Sequence, residues 1–210
     1  MAGKTFAVEI RRDLSAKDLG WYDEEHESAE QELGGNRRYE DLRAFGWSDV
    51  ATALEIERDV IAQITALDLT ADEEKLGHRE EAAWEILEEL EAAQDTWSMW
   101  GGPLWGLDVG VASAVIAVSA AGCVPFSSCN AGAFGRHHNS TYPNVGFYMR
   151  APTLPTMLAC AERAGVSLTP GYDGSALLLA KNVDDLLAFA SACYDASEQF
   201  DAVAPQAIRD

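Results

Sequence analysis

The sequence predicts an α+β protein, with an N-terminal acidic helical hairpin packed on or beside a C-terminal α-β-β-α-β-β-α antiparallel sandwich. Residues 48–97 carry two amphipathic helical patterns joined by a link of only two or three residues. Residues 101–210 alternate helix-period and strand-period stretches, with turn residues at each junction. Charge divides the chain at the same place: residues 1–100 hold 26 acids and 10 bases, a net of −16, while 101–210 hold 9 and 5, a net of −4. The tract Trp97–Gly106 contains Gly101-Gly102-Pro103, which breaks any helix. The chain therefore divides into an acidic, mainly helical region at 1–100 and an α+β domain at 101–210.

In order, Lys4–Arg11 alternates Phe6, Val8 and Ile10 with polar neighbours, the pattern of a short strand with one buried face. Asp23–Leu33 is an acidic helix candidate stopped by Gly34-Gly35, and Arg38–Phe45 a short helical or irregular piece. Ser48 can cap a helix to about Leu67, with the stripe Val50, Leu54, Ile61, Ile64 and Leu67 and with Val60 beside it. Thr70-Ala-Asp-Glu73 matches a capping box opening a second helix that carries Leu76, Ala83, Ile86, Leu87, Leu90, Ala93 and Trp97. Glu80, Glu81, Glu85, Glu88, Glu89 and Glu91 crowd this helix, where like charges repel, so they belong in water or against a cationic partner. Trp97, Trp100 and Trp105 suit the seam between the two regions.

In the second region Asp108 can cap a helix over Val109–Ala121. Cys123–Ser128 and Asn144–Arg150 read as strands, and Pro152–Ala164 as a helix closed by Gly165. Val166–Thr169 and Ala176–Lys181 read as strands joined by the turn Pro170–Gly174. Asn182 caps a last helix to about Ser197, with Asp184 and Asp185 in its first turn.

The whole-chain charge of −20 disfavours nonspecific binding to nucleic acid or anionic membrane, which rests on basic patches. No charge occurs between Asp108 and Arg136, yet Gly110, Gly122 and Pro125 interrupt that stretch, so it reads as a buried helix and strand rather than a membrane span. The N-terminus has no apolar signal core. Cys123, Cys129, Cys160 and Cys193 form no CxxC pair, and Cys160 and Cys193 sit among small apolar residues as core positions do. A reduced, cytoplasmic setting fits these features.

The segment from Cys129 to Pro143 joins two strands by about 15 residues, where a hairpin normally uses two to five. Three chemistries compete there. Cys129, His137 and His138 are metal-ligand types, and Asp108 can complete a tetrahedron. Cys129 with His137 or His138 as base makes a nucleophile pair. Ser127, Ser128, Asn130, the Gly132–Gly135 turn, Arg136 and His138 offer donors to an anion or small ligand. The bland alternative is glycines for tight bends, Cys129 in the core and histidines in water.

The order helix, strand, Ser127-Ser128-Cys129, glycine, strand, helix over roughly residues 107–197 resembles the tRNA wybutosine-synthesis methyltransferase family, with its Ser-Ser-Cys-Ser-Gly-Arg signature. Here Asn130 stands at the third serine, Ala131 precedes Gly132, and no arginine follows that glycine directly. The resemblance implies that family's fold and a ligand pocket. The family's activity is S-adenosylmethionine-dependent methylation of tRNA, but the acidic balance opposes an RNA substrate.

The functional expectation is therefore a cytoplasmic protein with a ligand-binding site in the 127–138 loop. Cys129 and His137 would be its catalytic pair if it does chemistry, and Ser127, Ser128, Asn130, Gly132, Arg136 and His138 its ligand-binding groups. The alternative is an acidic inhibitor or immunity-type protein that docks a basic partner, such as a toxin or nuclease, through Glu85, Glu88 and Glu89.

Overall fold

The computed structural model describes residues 4–20, 45–66, 78, 81–89, 104–135 and 138–203. Its strands are β1 (Val124–Cys129), β2 (Asn144–Tyr148), β3 (Ser167–Pro170) and β4 (Ala176–Leu179). They lie in the order β1-β2-β4-β3, and every neighbouring pair is antiparallel. Its helices are α1 (Trp47–Ala66), α2 (81–89), α3 (Ala112–Ala120), α4 (Leu154–Ala164), α5 (Val183–Asp195) and α6 (Ser197–Val203). Helix and antiparallel sheet thus combine as the α+β class requires.

The helix α3 lies against β1 and β2, and α4 lies against β3. Both pack on α5, and α1 packs in turn on α3 and α5. With neighbours on both sides, every residue of α3 is buried. That burial accounts for the uncharged tract after Asp108, and none of the described helices is long and apolar enough to cross a membrane. Val50, Leu54, Val60, Ile61 and Ile64 of α1 join Val115, Phe147, Leu178, Leu186 and Phe189 in one hydrophobic cluster.

Several elements form for the expected reasons. The Asn182 side chain accepts the Asp185 N–H at 2.9 Å and caps α5. Gly165 ends α4 with φ of 72°, the left-handed turn glycine permits. Cys123, Cys160 and Cys193 are buried free thiols. Burial pushes the Cys123 thiol well above its usual range.

Other elements differ. The segment 4–11 is not a strand, although its alternation shows in burial: Val8 is buried, Phe6 and Ile10 half-buried, Ala7 and Glu9 exposed. Its backbone bonds run to three places, from Lys4 N–H to Ala133 O, from Phe6 N–H to Lys181 O, and from Leu168 N–H to Arg11 O. Bonds scattered over three separate stretches of chain make no ladder. The first helix begins at Trp47 rather than after a Ser48 cap, because Asp49 Oδ2 accepts the Gly46 N–H at 2.7 Å. The last expected helix breaks at Ala196 into α5 and α6, which turns Phe200 inward to a 5.7 Å ring contact with Trp47.

In α2, Ala83 and Leu87 face the core. The link at 67–77, the Thr70–Glu73 box, Leu90, Trp97, Trp100 and the candidate helix at 23–33 lie outside the described residues, as does the candidate at 38–45 apart from Phe45. Trp105 meets Phe45 edge-on, with ring centroids 4.8 Å apart.

Candidate functional site

β1 is an edge strand, and Pro125, which has no N–H to donate, is tolerated there beside an irregularity in the β1–β2 register. The strand ends at Cys129, and the chain turns at Asn130. This asparagine is buried and serves the backbone on both sides: Nδ2 donates to Val109 O at 3.1 Å, and Oδ1 accepts the Gly132 N–H at 2.9 Å. Asn130 thereby ties the end of β1 to the turn before α3. Its own N–H reaches Asp108 Oδ2 at 3.3 Å. Ala131 and Gly132 follow with φ of 57° and 67°. An alanine in this left-handed region is strained. The reversal it makes aims the Ala131 N–H at Cys129 Sγ, 3.3 Å away. Ala133 and Phe134 then enter the core and anchor the loop.

On the return path His138 comes back to the strand end. Its Nδ1 lies 3.4 Å from Cys129 Sγ and 3.8 Å from Asp108 Oδ2. The ligand atoms of Asp108, Cys129 and His138 all fall within 4.8 Å of one another. The His138 side chain is 15% exposed and that of Asp108 34% exposed, so the cluster is sheltered but open to small molecules.

Asp108 is available for this cluster because it does not cap α3. A different carboxylate does. Glu57, on α1 and 0% exposed, accepts the N–H groups of Gly110 at 2.6 Å and Ala112 at 3.0 Å on Oε1, and that of Ser113 at 2.9 Å on Oε2. Those of Ala112 and Ser113 are orphan donors of the helix start, and that of Gly110 belongs to the turn just before it. Burial pushes the Glu57 carboxyl above the usual glutamate range, while the donors from Ser113, Gly110 and Ala112 oppose that shift. The signal for Glu57 is in the stripe of α1: between Leu54 and Ile61 it stands at the spacing where the next apolar residue belongs.

The expected site residues divide. Cys129, His138 and Asp108 come together. Asn130 sits behind them with its side chain spent on Val109 and Gly132. Ser127 and Ser128 are half-buried in β1, opposite Gly146 and Val145 of β2. Ser127 Oγ lies only 2.6 Å from where a Cβ on Gly146 would stand, so a side chain there would displace Ser127. Gly132 lies in the tight reversal. The loop amides offered to an anion are engaged internally: Ala131 to Sγ, Gly132 to Asn130 Oδ1, Ala133 to Asn130 O and Gly135 to Gly132 O. Arg136 and His137 lie outside the described residues. Glu85, Glu88 and Glu89 are exposed on α2.

Two chemistries suit this geometry. Cys129 and His138 are close enough for a proton to pass between sulfur and ring nitrogen. Equally, sulfur, imidazole nitrogen and carboxylate oxygen form a donor set of the kind that holds a transition metal. No family model, curated protein or solved structure matches the chain.

Proposed function

We propose that this protein works through the Asp108–Cys129–His138 cluster, as a ligand-binding site with the groups needed for catalysis. The observation that carries the reading is the convergence of the three ligand atoms within 4.8 Å at the end of an edge strand. Supporting it, the loop spends buried polar groups and a strained alanine on holding this arrangement. Cys129 is the group that meets the ligand, as nucleophile or as donor, and His138 is its proton acceptor. His137, the other candidate base, stands next to His138 in sequence. The Ser-Ser-Cys resemblance puts its cysteine at the same position, and methyl transfer from S-adenosylmethionine is one chemistry such a site could serve.

Alkylation with iodoacetamide tests this. In chelator-treated, folded protein, one adduct per chain is expected, on Cys129, because the other three thiols are buried. The rate at neutral pH should fall several-fold in His138→Ala. An unreactive Cys129, or a rate indifferent to His138, overturns the reading.

A second reading rests on α2. Glu81, Glu85, Glu88 and Glu89 are exposed around Trp84, which is itself 46% exposed. An exposed tryptophan among carboxylates suits docking to a basic protein, with the acidic hairpin lying on or beside the sandwich.

A further inference from the structure

The two short distances in the cluster share one atom. His138 Nδ1 faces both Cys129 Sγ, at 3.4 Å, and Asp108 Oδ2, at 3.8 Å. A proton relay through histidine uses the two ring nitrogens on opposite sides of the ring, one toward the nucleophile and one toward the carboxylate. Here one nitrogen lies near both partners, and the three potential ligand atoms cluster within 4.8 Å of one another. Zinc bonds of 2.0–2.3 Å in a tetrahedron imply edges of about 3.5–3.6 Å between sulfur and nitrogen and about 3.3–3.5 Å between nitrogen and oxygen. The sulfur–nitrogen distance of 3.4 Å is close to its edge, and the nitrogen–oxygen distance of 3.8 Å shortens by a few tenths of an ångström when the ion binds.

Resting on the cluster being the working site, we propose that its ligand is a divalent ion of the zinc class, held by Asp108 Oδ2, Cys129 Sγ and His138 Nδ1. Sulfur and imidazole select such an ion over calcium or magnesium, which take oxygen shells. The surrounding polar groups support it. The Ala131 N–H on Sγ steadies a thiolate, and the Asn130 N–H on Oδ2 orients the carboxylate, as outer-sphere donors do in metal sites. On binding, the thiol proton leaves to solvent and the ion gives up water, so affinity falls as acid returns that proton. Three described protein donors leave a fourth vertex for water or substrate, the arrangement of a zinc site that polarises a bound molecule.

The test is a titration of chelator-stripped full-length protein with cobalt(II), followed by zinc. Expected are one cobalt per chain, a sulfur-to-cobalt charge-transfer band with intense visible bands of tetrahedral cobalt, and their loss on one equivalent of zinc. Cys129→Ser should remove the sulfur band. Asp108→Asn and His138→Ala should weaken binding by more than the roughly tenfold cost of an outer-sphere change. Circular dichroism of each variant checks that the helices persist. His137→Ala should leave the stoichiometry and sulfur band in place, and their loss would overturn the three-ligand assignment. Absence of a sulfur band in the wild type, or its survival in Cys129→Ser, overturns the metal site. If iodoacetamide still reacts with Cys129 in a His138-dependent way, the working site stands without the metal. An inert thiol and no cobalt band remove both.

Discussion

Glu57 shows how a single side chain sets up the site from a distance. It is fully buried, and three backbone N–H groups at the start of α3 depend on it. In Glu57→Gln one acceptor oxygen becomes an NH2 group that confronts a donor. Each buried donor left unpaired costs about 1–3 kcal/mol, so a clear loss of Tm is expected. The pH dependence is a second signature. Burial raises the folded carboxyl above its unfolded value, so folding takes up a proton. Stability from this group is then fully present below the ordinary glutamate range and is lost as pH rises from there through the raised folded value. Thermal melts across that window should fall with pH in the wild type more steeply than in Glu57→Gln, and parallel slopes would contradict the assignment. The same residue marks what the sequence concealed. Asp108 stands just before the apolar run of α3 and reads as its cap. Only the fold shows that a carboxylate from α1 has that task, leaving Asp108 to Cys129 and His138. Cys129 and His138 themselves were legible as chemistry-bearing types on an overlong loop. The role of Asn130 as a pivot was not, since its partners Val109 and Gly132 become neighbours only through tertiary packing.

Among the elements, those with strong local signals follow the sequence closely. The strands β1 to β4 and the helices α4 and α5 lie within a few residues of their expected places, because caps, glycines and periodicity are local. The segment at 4–11 is the counterexample. Its alternation is real, but a strand also needs a continuous partner, and partner choice is non-local. The helix α2 carries a prediction of its own. Ala83 and Leu87 give it one buried face, and Glu85, Glu88 and Glu89 project away from it. Reversing these three to lysine should therefore change folding stability little, since exposed substitutions usually fall within about 0.5 kcal/mol. It should nevertheless abolish association with a cationic probe such as polylysine, and in the wild type that association should weaken with salt. A large loss of stability would mean that the carboxylates serve the fold. Salt-independent association would remove the docking idea.

At the scale of the molecule, the composition divides the chain near residue 100, but packing runs across that line. Val50, Ala53, Leu54, Val60, Ile61 and Ile64 are buried with the residues of α3 and α5. Leu14 belongs to the same cluster, and Arg11 O accepts from Leu168 N–H on the outer strand β3. A fragment of residues 101–210 would lose the cover of α1 over α3, a helix with no polar face to turn to water. It would also lose Glu57, leaving the N–H groups of Gly110, Ala112 and Ser113 without their acceptor. Each large apolar side chain exposed costs about 1.5–3 kcal/mol, and a domain holds only about 5–15 kcal/mol in all. The fragment is therefore expected to lack a cooperative urea transition and to bind a hydrophobic dye, with weak near-UV circular dichroism. The full chain should unfold in one step, with the signal of Trp47 on α1 moving together with that of Tyr148 on β2. A sharp, cooperative transition in the isolated fragment would show that the charge boundary is also a folding boundary. The Asp108 turn would then have to hold its geometry without the acidic half.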